Sequence, residues 1–277
     1  QQDFRSVVFI CCEAALRRDE GACRIVSQYI LTVTCPTARG IVAAVSGYLF
    51  AQGCNITDSS QFDDFQTERF FIRVSFISET GADKAALEKG FKEIAKEFSM
   101  GFAFHDVSQK MKVAIMVSRF GHCLNDLLYR WRIGALPIDI VAVISNHLDY
   151  QKLVVNHDIP FHYVRVEKGK KPEAEAEQMR SVEESGAELI VLARYMQILS
   201  DQMCRKMSGR IINIHHSFLP SFKGANPYKQ AYDRGVKLIG ATSHYVTTDL
   251  DEGPIIDQDT VRGTHAQSAA DYVSLGR

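Results

Sequence analysis

The sequence predicts an α/β protein in two units: a small one of order β-α-β-β-α-β, then a larger one with a mostly parallel sheet. Three observations predict this. Between residues 28 and 107 the apolar spacing switches between period two and helical spacing in that order. Beyond residue 112 short apolar runs alternate with amphipathic stretches, the pattern of strands covered by helices on both faces. The chain has 277 residues, 46% of them hydrophobic, which is enough for two cores.

In the first unit residues 29–34 read as a strand. Ile41, Ala44, Val45, Tyr48 and Leu49 then fall on one helical face. Residues 55–62 and 70–77 read as a strand pair; in the second, Phe70, Ile72, Val74 and Phe76 alternate with Arg73 and Ser75. Leu87, Phe91, Ile94 and Phe98 share one face of a second helix, and residues 101–107 close the unit as a strand. This is the ferredoxin-like split order, bounded at 26–107. Residues 1–25, with paired cysteines and paired arginines, fit neither unit and read as an N-terminal extension.

A polar linker at 108–111 leads into the second unit, 112–277. Its strand candidates are 112–117, 138–144, 161–164, 189–192 and 210–214, with helices around 124–131, 172–185 and 200–207. Trp131 stands at helical spacing from Leu124, Leu127 and Leu128, so it reads as core. Such sheets bind ligands beyond the carboxyl ends of their strands, where Asn213 and His215 fall. The basic cluster at 168–171 reads as a solvated helix approach.

The 32 basic and 33 acidic side chains leave a net charge of -1, without the basic footprint of a nucleic-acid binder. No apolar run approaches the roughly 20 residues that span a bilayer, so no membrane partner is expected. The 7 cysteines are odd in number and irregularly spaced, with no CxxC pair, as expected of reduced thiols in a cytoplasmic protein.

The chemistry gathers in IINIHHSFLP (211–220) and, downstream, HYVTTDLDEGP (244–254). An amide, an imidazole and a carboxylate at strand ends suit attack on a carbonyl: Asn213 donates to an oxyanion, His215 moves a proton, and a carboxylate holds the imidazole or a water. Asp249 and Asp251 both compete for the last role; the LDEGP pattern favours Asp251, with Asp249 capping a turn. His216 follows His215, and strand neighbours face opposite ways, so it reads as a loop-stabilising residue. No metal-ligand spacing is present, and Cys123 is not read as a nucleophile.

Three motifs together resemble the formyltetrahydrofolate deformylases: VSRFGHCLNDLLYRW (117–131), LARYMQIL (192–199), and NIHHSFLPSFKGANPY (213–228) followed by DEGP (251–254). The resemblance covers about 28–277. It implies an N-terminal ACT domain joined to a Rossmann-like, mostly parallel-sheet formyltransferase domain that hydrolyses 10-formyltetrahydrofolate to formate and tetrahydrofolate, supplying formate and balancing the one-carbon folate pool for purine synthesis. It implies a folate substrate, no metal and no other cofactor. Carried over by motif, Asn213 donates to the formyl oxygen, His215 is general acid/base, and Asp251 pairs with it and helps position the water. Arg194, Met196, Gln197, Ile198, Leu199, His244, Val246, Thr247 and Leu250 would bind substrate, with Arg119 and His122 lining the site. In the ACT unit Arg39, Gly40 and Asn55 would face an amino-acid effector, and a homo-oligomer is implied.

The related glycinamide ribonucleotide formyltransferases carry an open phosphate-cradling loop after the first strand. Here that place reads RFGHCL (119–124), whose bulk favours water over a phosphorylated amine as acceptor. Three features depart from the deformylase pattern. The ACT loop reads CPTARG (35–40), where the family usually has CPDRPG; Leu148 stands where Pro is usual; and the chain ends at Arg277, where the family continues into a terminal helix, so the catalytic domain is expected to be truncated there with an apolar face uncovered. Two other functions remain at this level: formyl transfer to an amine such as glycinamide ribonucleotide, and a non-catalytic folate or amino-acid sensor.

Overall fold

The computed structural model describes residues 27–221 and 227–276. The expectations for residues 1–25, and part of the third motif, lie outside the described residues. The chain divides between Lys110 and Met111 into two compact units.

The first unit runs β1 (Ser27–Pro36), α1 (Ile41–Ala51), β2 (Cys54–Asp64), β3 (Arg69–Ser78), α2 (Lys84–Glu97), β4 (Gly101–Asp106). Its sheet has the order β2-β3-β1-β4 with antiparallel neighbours, the ferredoxin-like arrangement. The alternation in β3 behaves as read: Phe70, Ile72, Val74 and Phe76 are buried against the helices. Leu87 and Phe91 of α2 are fully buried, and Phe91 makes edge contacts with Tyr48, Phe102 and Phe104. The Asp83 carboxylate caps α2 by accepting from Ala86 N at 2.7 Å, which satisfies one of the helix's otherwise unpaired donors.

The second unit starts with β5 (Met111–Val117), so Met111 is strand and not linker. It continues α3 (His122–Arg132), β6 (Ile138–Ser145), α4 (Gln151–Val155), β7 (Phe161–Tyr163), α5 (Lys171–Ser185), β8 (Leu189–Leu192), α6 (Asp201–Lys206), β9 (Ile211–His215), α7 (Pro227–Asp233), β10 (Leu238–Tyr245), β11 (Ile255–Arg262) and α8 (Ala269–Leu275). The strand order is β11-β10-β9-β8-β5-β6-β7. Strands β7, β6, β5, β8 and β9 are parallel, and β10 is antiparallel to both its neighbours.

The run VAIMV of β5 is apolar at every position because both faces are covered. Val113, Ile115 and Val117 pack with Leu124 and Leu128 of α3, while Ala114 and Met116 pack with Met179 and Val182 of α5. Trp131 packs on the α3 side and donates to Ile138 O at 3.0 Å. The chain leaves β5 towards β6 and β7, then returns to β8 on the other side. This reversal opens a crevice beyond the carboxyl ends of β5 and β8, the usual ligand position in such sheets.

Strands β10 and β11 carry no clear apolar alternation. β10 reads LIGATSHY and buries Thr242, Ser243 and His244. Gly240 is required there, because a Cβ would meet Asp259 O at 2.1 Å. A bulge between Ser243 and His244 shifts the β10–β11 register, and bulges of this kind re-aim side chains beside functional sites. Helix α8 is closed by a reciprocal Ser268–Asp271 capping box and buries Tyr272.

Candidate active site

Asn213 lies near the carboxyl end of β9, directly opposite His244 on β10. Asn213 Nδ2 is 3.3 Å from His244 Nε2, and His244 Nδ1 is 2.9 Å from Tyr245 O. A carbonyl oxygen only accepts, so the His244 proton sits on Nδ1 and Nε2 accepts from the amide. This fixes which way the Asn213 amide points and leaves its second N–H for another acceptor.

His215 ends β9. Its Nδ1 is 3.4 Å from Asp251 Oδ1, and His244 Nε2 is 3.7 Å from the same oxygen. The three side chains are nearly buried, with 7%, 8% and 2% exposure for His215, Asp251 and His244. The neighbouring His215 imidazole first, then that of His244, holds the Asp251 carboxyl well below the usual range against the opposing effect of burial. Asp251 is therefore a carboxylate. Nε2 of His215 is buried, with no hydrogen-bond partner among the described residues.

Local backbone places these groups. Asp251 has φ 56°, a left-handed conformation costly for a non-glycine residue. Tyr245 N donates to Pro254 O at 2.9 Å and closes the loop that carries it. Gly253 is required at that closure, since a Cβ would meet Tyr245 O at 1.8 Å. The Asp249 carbonyl accepts from Thr247 Oγ1 at 3.1 Å, a turn contact, and the ion pair with His215 falls to Asp251. After β9 a buried network anchors the chain to β10: Thr242 Oγ1 donates to Ser217 O at 2.8 Å and accepts from Leu219 N at 3.1 Å and Gln258 Nε2 at 3.0 Å.

A cavity of about 520 Å³ opens beside these residues, within the usual range for a small-molecule site. Every residue expected to bind substrate lines it: Arg194, Met196, Gln197, Ile198, Leu199, His244, Val246, Thr247 and Leu250. His122 lines it too. Arg119 does not; it is exposed, its carbonyl accepts from Tyr150 Oη at 2.9 Å, and its neighbour Phe120 takes the place in the wall.

The segment after β8 is clamped from two sides. Ser118 Oγ accepts from Met196 N at 3.0 Å and donates to Asn146 Oδ1 at 2.8 Å, and Ser118 N donates to Arg194 O at 3.3 Å. On the other side Gln178 Nε2 donates to Tyr195 Oη at 2.7 Å, and Ser200 N donates to Glu175 Oε1 at 2.9 Å. Burial pushes the Tyr195 phenol up to about 12, so it stays a phenol. Ser118 and Asn146 give only the signal of a polar residue at the end of an apolar run, and Gln178, within the charged stretch 171–185, gives none.

His216 overturns the strand-alternation reading. β9 ends at His215, so alternation does not extend to the next residue. His216 lines the same cavity as His215, with ring centroids 5.5 Å apart, and lies 5.9 Å from the ring of Tyr228. Burial first, then Arg194 and His215, lower its imidazole from 6.5 to about 4. Burial also raises the Cys123 thiol, which keeps it protonated and a poor nucleophile. In the first unit Arg39 and Gly40 precede α1 and Asn55 follows it. Eleven helical residues, roughly 16 Å, separate those ends, so these residues do not converge. Among the described residues no group of three His, Cys, Asp or Glu is arranged to hold a metal, and no helix is long and apolar enough to cross a membrane.

The formyl transferase family model matches residues 111–274. A formyltetrahydrofolate deformylase of Corynebacterium sp. (strain P-1) is 49% identical over 251 residues, covering 90% of this chain and 88% of that protein. The crystal structure of a formyltetrahydrofolate deformylase from Pseudomonas syringae pv. tomato superimposes with a TM-score of 0.87 at 48% identity, covering 90% of this chain and 84% of that one. A phosphoribosylglycinamide formyltransferase from Anaplasma phagocytophilum gives a TM-score of 0.55 at 33% identity, covering 60% of this chain and 79% of that one.

Proposed function

The chain belongs to the formyltetrahydrofolate deformylase family, and from that premise we propose how its residues hydrolyse 10-formyltetrahydrofolate to formate and tetrahydrofolate. One observation carries the assignment of roles: the Asn213 amide, the His215 imidazole and the Asp251 carboxylate meet at one wall of the 520 Å³ cavity.

In this reading the formyl oxygen faces the free N–H of Asn213, and His244 keeps that amide turned correctly. Charge develops on this oxygen as water attacks, so the amide binds the transition state better than the substrate. His215, held at Nδ1 by Asp251, presents Nε2 to the reacting group and supplies the proton that the folate nitrogen takes as it leaves. Asp251 stabilises the imidazolium and helps position the water. The apolar and backbone groups of 194–199 and 246–250 hold the pterin. This reading calls for no metal or cofactor.

The same reading extends to cellular role. The released formate and tetrahydrofolate balance the one-carbon folate pool for purine synthesis in the cytoplasm. The ferredoxin-like unit acts as an ACT domain that takes an amino-acid effector and pairs with another copy in a homo-oligomer. Separation of Arg39 and Gly40 from Asn55 within one unit favours an effector site completed by a second copy. Transfer to an amine is disfavoured by Phe120 and Arg194, whose cation–ring stack, 5.5 Å to the centroid, adds bulk to the cavity wall.

The test is formate release from 10-formyltetrahydrofolate with no amine present, by the purified protein and by Asn213→Ala. Stoichiometric formate and tetrahydrofolate, reduced roughly 10²- to 10³-fold in the variant, supports the reading. A loss below about threefold removes Asn213 from the oxyanion role.

A further inference from the structure

The hydrolysis just described gives the leaving nitrogen its proton but leaves the attacking water without a base. In this scheme His215 enters as the acid, with its proton already on Nε2, so that nitrogen has no lone pair for the proton of the attacking water. A second acceptor has to open on the same cavity with a free lone pair.

His216 meets those requirements by position. It lies one residue past the end of β9, and the hydrogen bonds of Thr242 to Ser217 and Leu219 pin the chain that follows it. Its ring shares the cavity with that of His215 at 5.5 Å between centroids and a tilt of 41°. Among the described residues no hydrogen bond holds either of its ring nitrogens, whereas His215 is engaged by Asp251 and His244 by Tyr245 and Asn213. The charged groups acting on it are Arg194, His215 and His122, which disfavour its protonation, and Asp251, which favours it. Tyr228 packs against its ring. In the resting site the imidazole is thus uncharged.

We infer that His216 is the catalytic base that takes the proton from the attacking water, an assignment that rests on the hydrolase reading above. The water oxygen bonds to the formyl carbon as one water proton passes to His216, and the carbonyl electron pair moves onto the oxygen facing Asn213. Collapse re-forms the C=O bond and breaks the C–N bond, and the folate nitrogen takes the proton from His215. The formic acid gives its proton back to His215 and leaves as formate, and His216 releases its proton to solvent. Negative charge on the tetrahedral oxygen offsets Arg194 and stabilises the His216 imidazolium at the moment it forms.

The test compares wild type, His216→Ala and His216→Gln. Formate release from 10-formyltetrahydrofolate is measured alongside production of N-hydroxyformamide with hydroxylamine, an uncharged amine at neutral pH that attacks without prior deprotonation. Circular dichroism and thermal melts establish folding. The expected result is a kcat for formate release lowered about 10²-fold or more in both variants. KM should stay within about threefold, and the hydroxylamine reaction within about fivefold of wild type. Retention of more than about a third of kcat by either folded variant overturns the assignment, as does equal loss of both reactions. Wild type that hydrolyses the folate while the His216 variants do so equally well refutes only this inference. Wild type that releases no formate refutes the hydrolase reading itself.

Discussion

Asn213 Nδ2 stands 3.3 Å from His244 Nε2, its direct partner across the β9–β10 ladder. The bulge between Ser243 and His244 and the bond from His244 Nδ1 to Tyr245 O set that imidazole in place. The amide that would meet the oxyanion is thus oriented by a residue outside the Asn–His–Asp set.

The two residues should therefore act as one unit. His244→Ala is expected to lower kcat roughly tenfold, and the His244→Ala/Asn213→Ala pair should be no more than about twofold worse than Asn213→Ala alone. The coupling is then on the order of 1 to 2 kcal/mol in a double-mutant cycle. Losses that simply multiply would show that His244 does not work through Asn213.

Ser118 predicts a binding effect separable from chemistry. Its hydroxyl joins Met196 N to Asn146 Oδ1, and Ser118→Ala leaves both without that partner. The expected cost is about 1 to 3 kcal/mol of stability. A loosened 194–199 segment should raise KM for the folate about tenfold, with kcat within about threefold. Denaturant unfolding and steady-state kinetics check the two parts; an unchanged KM would remove the segment from substrate binding.

The site should also leave a mark on stability as a function of pH. Above pH 6.5 the His216 imidazole is uncharged both folded and unfolded and contributes no pH dependence. Between 6.5 and about 4 the unfolded chain takes up a proton that the folded protein refuses, so stability falls as pH falls. Asp251 stays charged in the folded protein across that window, and its contribution is lost only below its ordinary 3.8. Urea unfolding at neutral pH and near pH 4.5 should show a smaller loss in His216→Gln than in wild type, by on the order of 2 kcal/mol. Equal losses would mean that His216 is not buried uncharged.

The parts of this fold that were legible in the sequence are those where one physical signal dominates. β3 is buried on one face and alternates; β5 is buried on both and is apolar throughout. β10 was not legible, because Gly240 makes room for the β11 backbone while Thr242 and His244 hydrogen-bond within the core. The site divides in the same way. Asn213, His215 and Asp251 announce themselves by residue type and motif. The strand rule that would turn His216 away from His215 does not reach it, because β9 ends at His215. Arg119 was expected in the wall where Phe120 stands, since spacing along a loop does not say which side chain turns inward.

In the proposed hydrolysis His215, held by Asp251, moves the proton that releases the folate nitrogen. This role is tested most directly by formate release from 10-formyltetrahydrofolate by His215→Ala, with tetrahydrofolate binding measured on the same protein. Near-complete loss of turnover is expected, on the order of 10²- to 10⁴-fold, with binding within about threefold of wild type. A folded His215→Ala protein that keeps more than about a tenth of wild-type turnover would contradict it.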